Sequence, residues 1–161
     1  MRKLLPVILC TLAFLMLASS CQKCETDHLA YREKDFCAVL EGSRDGKKFI
    51  CEVTCKSGKA EKLVYGGEGV LAGVSLTAEG NGYRIERDGT QAPFPEPGGL
   101  LEPARLLLLE GAEICTVRVI AEGTLLTVKL PGSTEEISLT VGANGFPTVI
   151  TSEKYSMQVK T

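Results

Sequence analysis

The sequence predicts a mainly β fold, a large curled sheet, sandwich or barrel of antiparallel strands, and three observations carry that reading. Past residue 30 the chain divides into short runs whose apolar residues recur near a period of two, as in Phe49, Cys51, Val53 and Cys55. Turn signals such as Asp45-Gly46, Asp88-Gly89 and Pro131-Gly132-Ser133 separate these runs at regular spacing. Strand patterns do not alternate with helix patterns, which disfavours a parallel α/β sheet.

The first element precedes the domain. Met1-Arg2-Lys3 is basic, Leu4 to Leu17 is uncharged and apolar, and Ala18-Ser19-Ser20 leads to Cys21. A basic, an apolar and a small-residue region in this order read as a secretory signal helix over residues 1–20. The basic residues stay at the anionic inner surface while the apolar run inserts, which sets the orientation. The run is shorter than the ~20 residues of a stable spanning helix, so an uncleaved membrane anchor is the weaker reading. The stretch Leu17-Ala18-Ser19-Ser20-Cys21 resembles the lipobox of bacterial lipoproteins. That resemblance implies diacylglyceryl transfer to the Cys21 sulfur, cleavage before it, and palmitate-type chains holding the protein on the extracytoplasmic side of the cell membrane. Ala18 stands where the family carries a large apolar residue, and Ala18 and Ser20 also suit ordinary signal peptidase. Free secretion is therefore the alternative.

Residues 21–27 are polar and read as a tether, and residues 28–161 read as a single domain. Asp35 to Glu41 is a strand, Arg44-Asp45-Gly46-Lys47 a hairpin turn, and Lys48 to Lys56 its partner. Ser57-Gly58-Lys59 turns into a strand over Ala60 to Tyr65. After the glycine-rich bend Gly66-Gly67-Glu68-Gly69, strands run Val74 to Ala78 and Tyr83 to Arg87. Pro93 to Gly99 is expected to be loop, since proline removes donors and fixes φ. Leu100 to Glu110 is the one good helix of the domain, with Pro103 in its first turn and Gly111 as its stop. Strands return at Cys115 to Ala121, Leu125 to Leu130, Glu136 to Val141, Thr148 to Thr151 and Tyr155 to Lys160.

Composition narrows the function classes. The formal net charge is −2, and no basic run follows Cys21, which argues against nucleic acid and against binding lipid headgroups by charge alone. Tryptophan is absent and aromatic residues are 6% of the chain, so stacking platforms for bases or sugars are scarce. Of the seven cysteines, Cys10 leaves with the signal and Cys21 is the lipid site. The five that remain are odd in number, so at least one is a free thiol or bonds another molecule. Cys37, Cys51 and Cys115 lie in apolar strand-like runs, which favours buried free thiols; one or two disulfides involving Cys24, Cys37, Cys51, Cys55 and Cys115 are the alternative.

No convincing catalytic or metal constellation stands out. Cys21-x-x-Cys24 has redox spacing, but a lipidated sulfur forms neither a disulfide nor a metal bond. Cys51-x-x-x-Cys55 has metal-like spacing, yet on an extended strand the pair stands ~13 Å apart, too far for one zinc or a disulfide. His28 is the single histidine and lies among charged residues with no Gly-x-Ser-x-Gly elbow to serve. Glu135-Glu136 reads as a charged strand edge, and the glycine patch lacks the Lys-Ser/Thr of a phosphate loop. We expect neither an enzyme nor a cofactor.

The order of elements carries a second resemblance. Tyr31 to Leu40 leads into Arg44-Asp45-Gly46 and a strand with Phe49. Leu71-Ala72-Gly73-Val74, a Pro-Gly loop and a leucine-rich helix follow, and Gly145-Phe146-Pro147-Thr148-Val149-Ile150 precedes a last strand ending Gln158-Val159-Lys160. Over residues 28–161 this resembles small exported lipoproteins of the lipoprotein-carrier, or LolA-like, fold. The resemblance implies an incomplete, strongly curved antiparallel β-barrel whose concave face is covered by helices and takes up acyl chains. One helix covers only part of such a face, and a partly covered apolar concavity is a default ligand site. The leading expectation is thus a tethered module holding a lipid or lipid-like ligand, with Phe36, Phe49, Tyr65, Leu101 and Leu108 among the wall residues and Leu100 to Glu110 with Pro93 to Gly99 as a lid. The alternative is a structural or interaction protein of the envelope that docks an unknown protein partner and has no small-molecule ligand.

Overall fold

A computed structural model describes residues 27–95 and 97–161. The expected signal helix, the expected tether up to residue 26, Cys21 and Cys24 lie outside the described residues. The domain is one antiparallel sheet of eleven strands, in the spatial order β6-β5-β4-β3-β2-β1-β11-β10-β9-β8-β7. The strands are β1 Phe36–Arg44, β2 Lys47–Lys56, β3 Lys59–Gly66, β4 Ser75–Glu79, β5 Gly82–Arg87 and β6 Thr90–Phe94. After a short helix α1 (Glu102–Leu108) come β7 Glu113–Ile120, β8 Gly123–Lys129, β9 Glu136–Val141, β10 Pro147–Thr151 and β11 Tyr155–Lys160. Single 3₁₀ turns precede β1 (Ala30–Glu33) and α1 (Gly98–Leu100).

The path of the chain explains the shape. It meanders from β1 outward to β6, crosses over through α1, and returns inward from β7 to β11, which pairs with β1. Among the described residues the sheet does not close, and β6 and β7 remain its unpaired edges. It must nevertheless curl. The helix touches both β3 and β10, four strands apart in the sheet. On a flat sheet that separation is ~19 Å, wider than a helix of ~10 Å. The incomplete barrel expected from the sequence thus becomes one open, curved antiparallel sheet with one α-helix on its inner face.

Local chemistry sets the joints. Asp45-Gly46 and Asp88-Gly89 both take positive φ in two-residue turns, as the sequence suggested. Gly42 is dictated by packing: a Cβ there would run into the Ser156 carbonyl of β11. Two expectations need correction. Pro93 and Phe94 belong to edge strand β6 instead of a loop. Thr90 and Arg87 flank the turn as the hydrogen-bonded pair, so alternation turns the position of Pro93 outward, where a missing N–H costs the ladder nothing. The helix is also shorter than Leu100 to Glu110, because Leu109 adopts a left-handed conformation (φ 48°) that ends it before Gly111.

The core lies between the inner sheet face and α1. Leu40, Cys51, Val53, Leu63, Leu139 and Ile150 from the sheet and Leu107 and Leu109 from the helix region are fully buried. Tyr31 donates its hydroxyl hydrogen to the Leu107 carbonyl at 2.7 Å, and Arg32 Nη1 donates to the Leu109 carbonyl at 2.9 Å, so the turn before β1 caps the end of the helix. Leu101, Pro103, Ala104 and the four consecutive leucines Leu106 through Leu109 are all buried, so α1 is a core element and not a hinged lid.

Candidate functional site

Helix α1 fills the middle of the inner face and leaves a cleft on each side. The first, of about 500 Å³, lies among the β1–β2 turn, the β3–β4 loop and the start of α1. Phe49, Tyr65, Leu71, Ala72, Pro103 and Tyr155 give it apolar walls, and Arg44, Asp45, Lys47, Lys48 and Glu68 stand around them. Phe49 and Tyr155 meet edge to face, with ring centroids 6.1 Å apart. The Arg44 guanidinium lies over the Tyr155 ring, 5.5 Å from its centroid. Tyr65 donates its hydroxyl hydrogen to the Leu100 carbonyl at 2.6 Å, tying β3 to the turn that opens α1. Burial raises the phenol pKa of Tyr65, and also that of Tyr155, where Arg44 partly offsets it. The Tyr155 hydroxyl is buried and has no hydrogen-bond partner among the described residues. The second cleft, also about 500 Å³, lies across the helix and is lined by Ala60, Tyr83, Leu101, Leu108, Leu130 and Pro131, among others, with Lys59, Arg105 and Glu110 at its sides.

The five wall residues named from the sequence are therefore divided among three places. Phe49 and Tyr65 line the first cleft, and Leu101 and Leu108 line the second. Phe36 lines neither and packs instead with Tyr31 and Phe146, at centroid distances of 6.1 and 5.4 Å. Sequence reading did not find Arg44, Leu71, Pro103 or Tyr155. Arg44 and Tyr155 meet because they are register partners across β1 and β11, a pairing 111 positions apart by their numbers that no local pattern announces.

The chemistry of the remaining candidates is sparse. Cys51 and Cys55 are buried free thiols, and burial pushes both pKa values up to about 12, which keeps them unreactive near neutral pH. Cys37 and Cys115 are free but exposed, against the expectation of burial. Each sits on a strand whose alternation is right, but Cys37 lies on the outer face and Cys115 at an uncovered edge. His28 is half-buried in the turn ahead of Ala30–Glu33. Among the described residues no three His, Cys, Asp or Glu side chains group as a metal site, and no helix is long and apolar enough to cross a membrane.

No family model matches the chain. No curated protein matches it either. Among solved structures it is similar to MucB in the crystal structure of MucB in complex with MucA(peri), at 14% identity and a TM-score of 0.38. That likeness covers 84% of this chain and 53% of the MucB chain, so the protein spans about half the length of its structural neighbour.

Proposed function

We propose that this protein is an extracytoplasmic lipoprotein, anchored through Cys21, whose domain binds a lipid or lipid-like amphiphile in the cleft between β1–β2, the β3–β4 loop and α1. The observation that carries the reading is the cleft itself. Its volume of about 500 Å³ falls within the range of small-molecule sites, its walls are apolar, and four of its five charged residues, Arg44, Asp45, Lys47 and Lys48, stand together at the turn of the β1–β2 hairpin, with Glu68 on the β3–β4 loop. The apolar part of the ligand packs against Phe49, Leu71 and Tyr65, and its polar end lies among Arg44, Lys47 and Lys48. The open curved sheet with a helix on its inner face supports a carrier-like architecture, while a tether at Cys21 makes it a stationary member of that kind. The anchor keeps the cleft within reach of the membrane surface; two or three acyl chains hold it stably where one is marginal.

Native mass spectrometry of the protein, gently purified from an exporting host, tests the ligand. A lipid mass released on activation is expected, and its loss in Ala72→Trp, which fills the cleft, ties it to this site. A clean apo mass that stays unchanged after incubation with mixed lipids overturns the reading. Cys21→Ser tests the anchor separately: the protein should leave the membrane fraction. One observation favours a protein-docking role beside the ligand role, the exposed apolar side chains of β7.

A further inference from the structure

The inner face of the sheet ends in an uncovered strip on β7. Ile114, Val117 and Val119 are 40, 47 and 87% exposed. Their spacing is odd, yet they share one face because Cys115 is a bulge. The register shifts between Ile114 and Thr116, so Ile114 pairs with Val128 and Val117 with Leu126, both fully buried on the inner face. Thr116 and Arg118 pair with Thr127 and Leu125 and face the other way. The same ladder fixes the backbone. Ile120 and Gly123 flank a two-residue turn and form a hydrogen-bonded pair. Alternation from that pair points the N–H and C=O groups of Val119, Val117 and, across the bulge, Ile114 away from β8. Among the described residues no strand lies beyond them. The exposed apolar side chains and the free backbone groups therefore belong to the same three residues.

We propose that β7 pairs antiparallel with β7 of a second copy of this chain, Ile114 opposite Val117 and Glu113 opposite Arg118. In this register Ile114 and Val117 match in side-chain face and in hydrogen-bond phase. Glu113, which pairs with Lys129, and Arg118, which pairs with Leu125, both lie on the outer face and carry opposite charges. The two-fold axis makes each of these pairings twice. The neighbouring registers that keep face and phase set Arg118 against Thr116 or against Arg118 of the second copy, with no opposite charge. The strand is thus complementary to itself, and that is what selects a second copy over an unrelated strand. The opposite edge is unsuited to the same use, because Pro93 turns a missing donor outward.

Cys115 falls beside the axis, exposed and opposite Thr116 of the second copy, and serves as the reporter. The full-length chain is exported from a bacterial host, treated with copper–phenanthroline in intact membranes and run without reductant. A dimer band that vanishes in Cys115→Ser is expected. Arg118→Glu alone and Glu113→Arg alone should each lower the band roughly fivefold, since like charges then face each other twice, and the double variant should restore it. Val117→Pro removes only a donor that faces the open edge; it should abolish the band while Cys51 stays resistant to alkylation. A missing Cys115-dependent band, charge variants without effect, a double variant that fails to recover, or a Val117→Pro chain that dimerises normally overturns the proposal.

Discussion

The inner face of this sheet is built of one material and finished in two ways. Beneath α1, alternating apolar residues from β1, β2, β3, β9 and β10 are sealed: Leu40, Val53, Leu63, Leu139 and Ile150 are all fully buried. At the β7 flank the same alternation continues through Ile114, Val117 and Val119 and meets solvent. Strand chemistry does not distinguish the two regions; the route of the crossover does. The chain leaves β6 at one edge, spends its helix over the middle of the face, and must then run out to the other edge to begin β7. A helix of seven residues is ~10 Å long and cannot cover the flank as well. An apolar period of two thus reports that a residue points inward, and leaves open whether anything lies above it.

The comparison breaks most severely at high pH. Cys51 and Cys55 belong to the sealed region, and burial holds their pKa values near 12 against an ordinary 9.0. The folded state therefore resists losing these protons, while the unfolded chain loses them from about pH 9. A group with a raised folded pKa contributes its full stability below its unfolded pKa and loses it as pH rises through the folded one. Stability should be flat below about pH 8 and fall between pH 9 and 12, by ~1.4 kcal/mol per pH unit for each thiol. Urea unfolding at pH 8, 9.5 and 10.5 measures it, and Cys51→Ala with Cys55→Ala should flatten the profile up to about pH 10, above which the buried phenols of Tyr31 and Tyr65 begin to contribute a fall of their own. A midpoint that does not move between pH 8 and 10.5 counts against a sealed centre.

Truncation is the next largest effect. Leu107→Ala removes a fully buried side chain of α1 and should cost about 2–5 kcal/mol in denaturant unfolding. Val119→Ala removes the same kind of surface from the flank and should change the stability of the monomer by less than about 0.5 kcal/mol. Equal losses at the two positions would mean that the flank is covered in solution. Thiol labelling sharpens the contrast without mutation. At pH 8 Cys37 and Cys115 should react with iodoacetamide in the folded protein, and Cys51 and Cys55 only on unfolding, which peptide mass mapping reads residue by residue.

What the sequence disclosed follows the same division. Hairpins such as Asp45-Gly46 and Asp88-Gly89 are local, need positive φ, and stand where the residues put them. Strands β9 and β11 begin and end where the pattern does. Pro93 misled, because a proline forbidden in a central strand is harmless where its nitrogen faces the open edge. Cys37 and Cys115 misled, because periodicity cannot tell an inner face from an outer one. The wall residues were apolar as expected, but their grouping was not legible. Phe49 and Tyr65 lie on adjacent strands and share a cleft, whereas Leu101 and Leu108 reach the other one across a helix whose direction over the sheet is set by long-range pairing.

The smallest effects come from two tyrosines that separate a core polar contact from a cleft one. Tyr31 and Tyr155 are both buried, and burial raises both phenol pKa values. Tyr31 donates to the Leu107 carbonyl at the end of α1, so Tyr31→Phe strands a buried acceptor and should cost about 1–3 kcal/mol. The Tyr155 hydroxyl has no partner among the described residues, so Tyr155→Phe removes a buried polar group that gains nothing from folding. Its stability change should be near zero or favourable, by at most about 1 kcal/mol. The ring stays, and with it the edge-to-face contact with Phe49 and the seat of the Arg44 guanidinium. A marked loss of stability in Tyr155→Phe would show that its hydroxyl is satisfied in solution by water or by a molecule resident in the cleft. Repeating the measurement on delipidated protein separates these two: a loss that disappears with the lipid assigns the missing partner to the ligand.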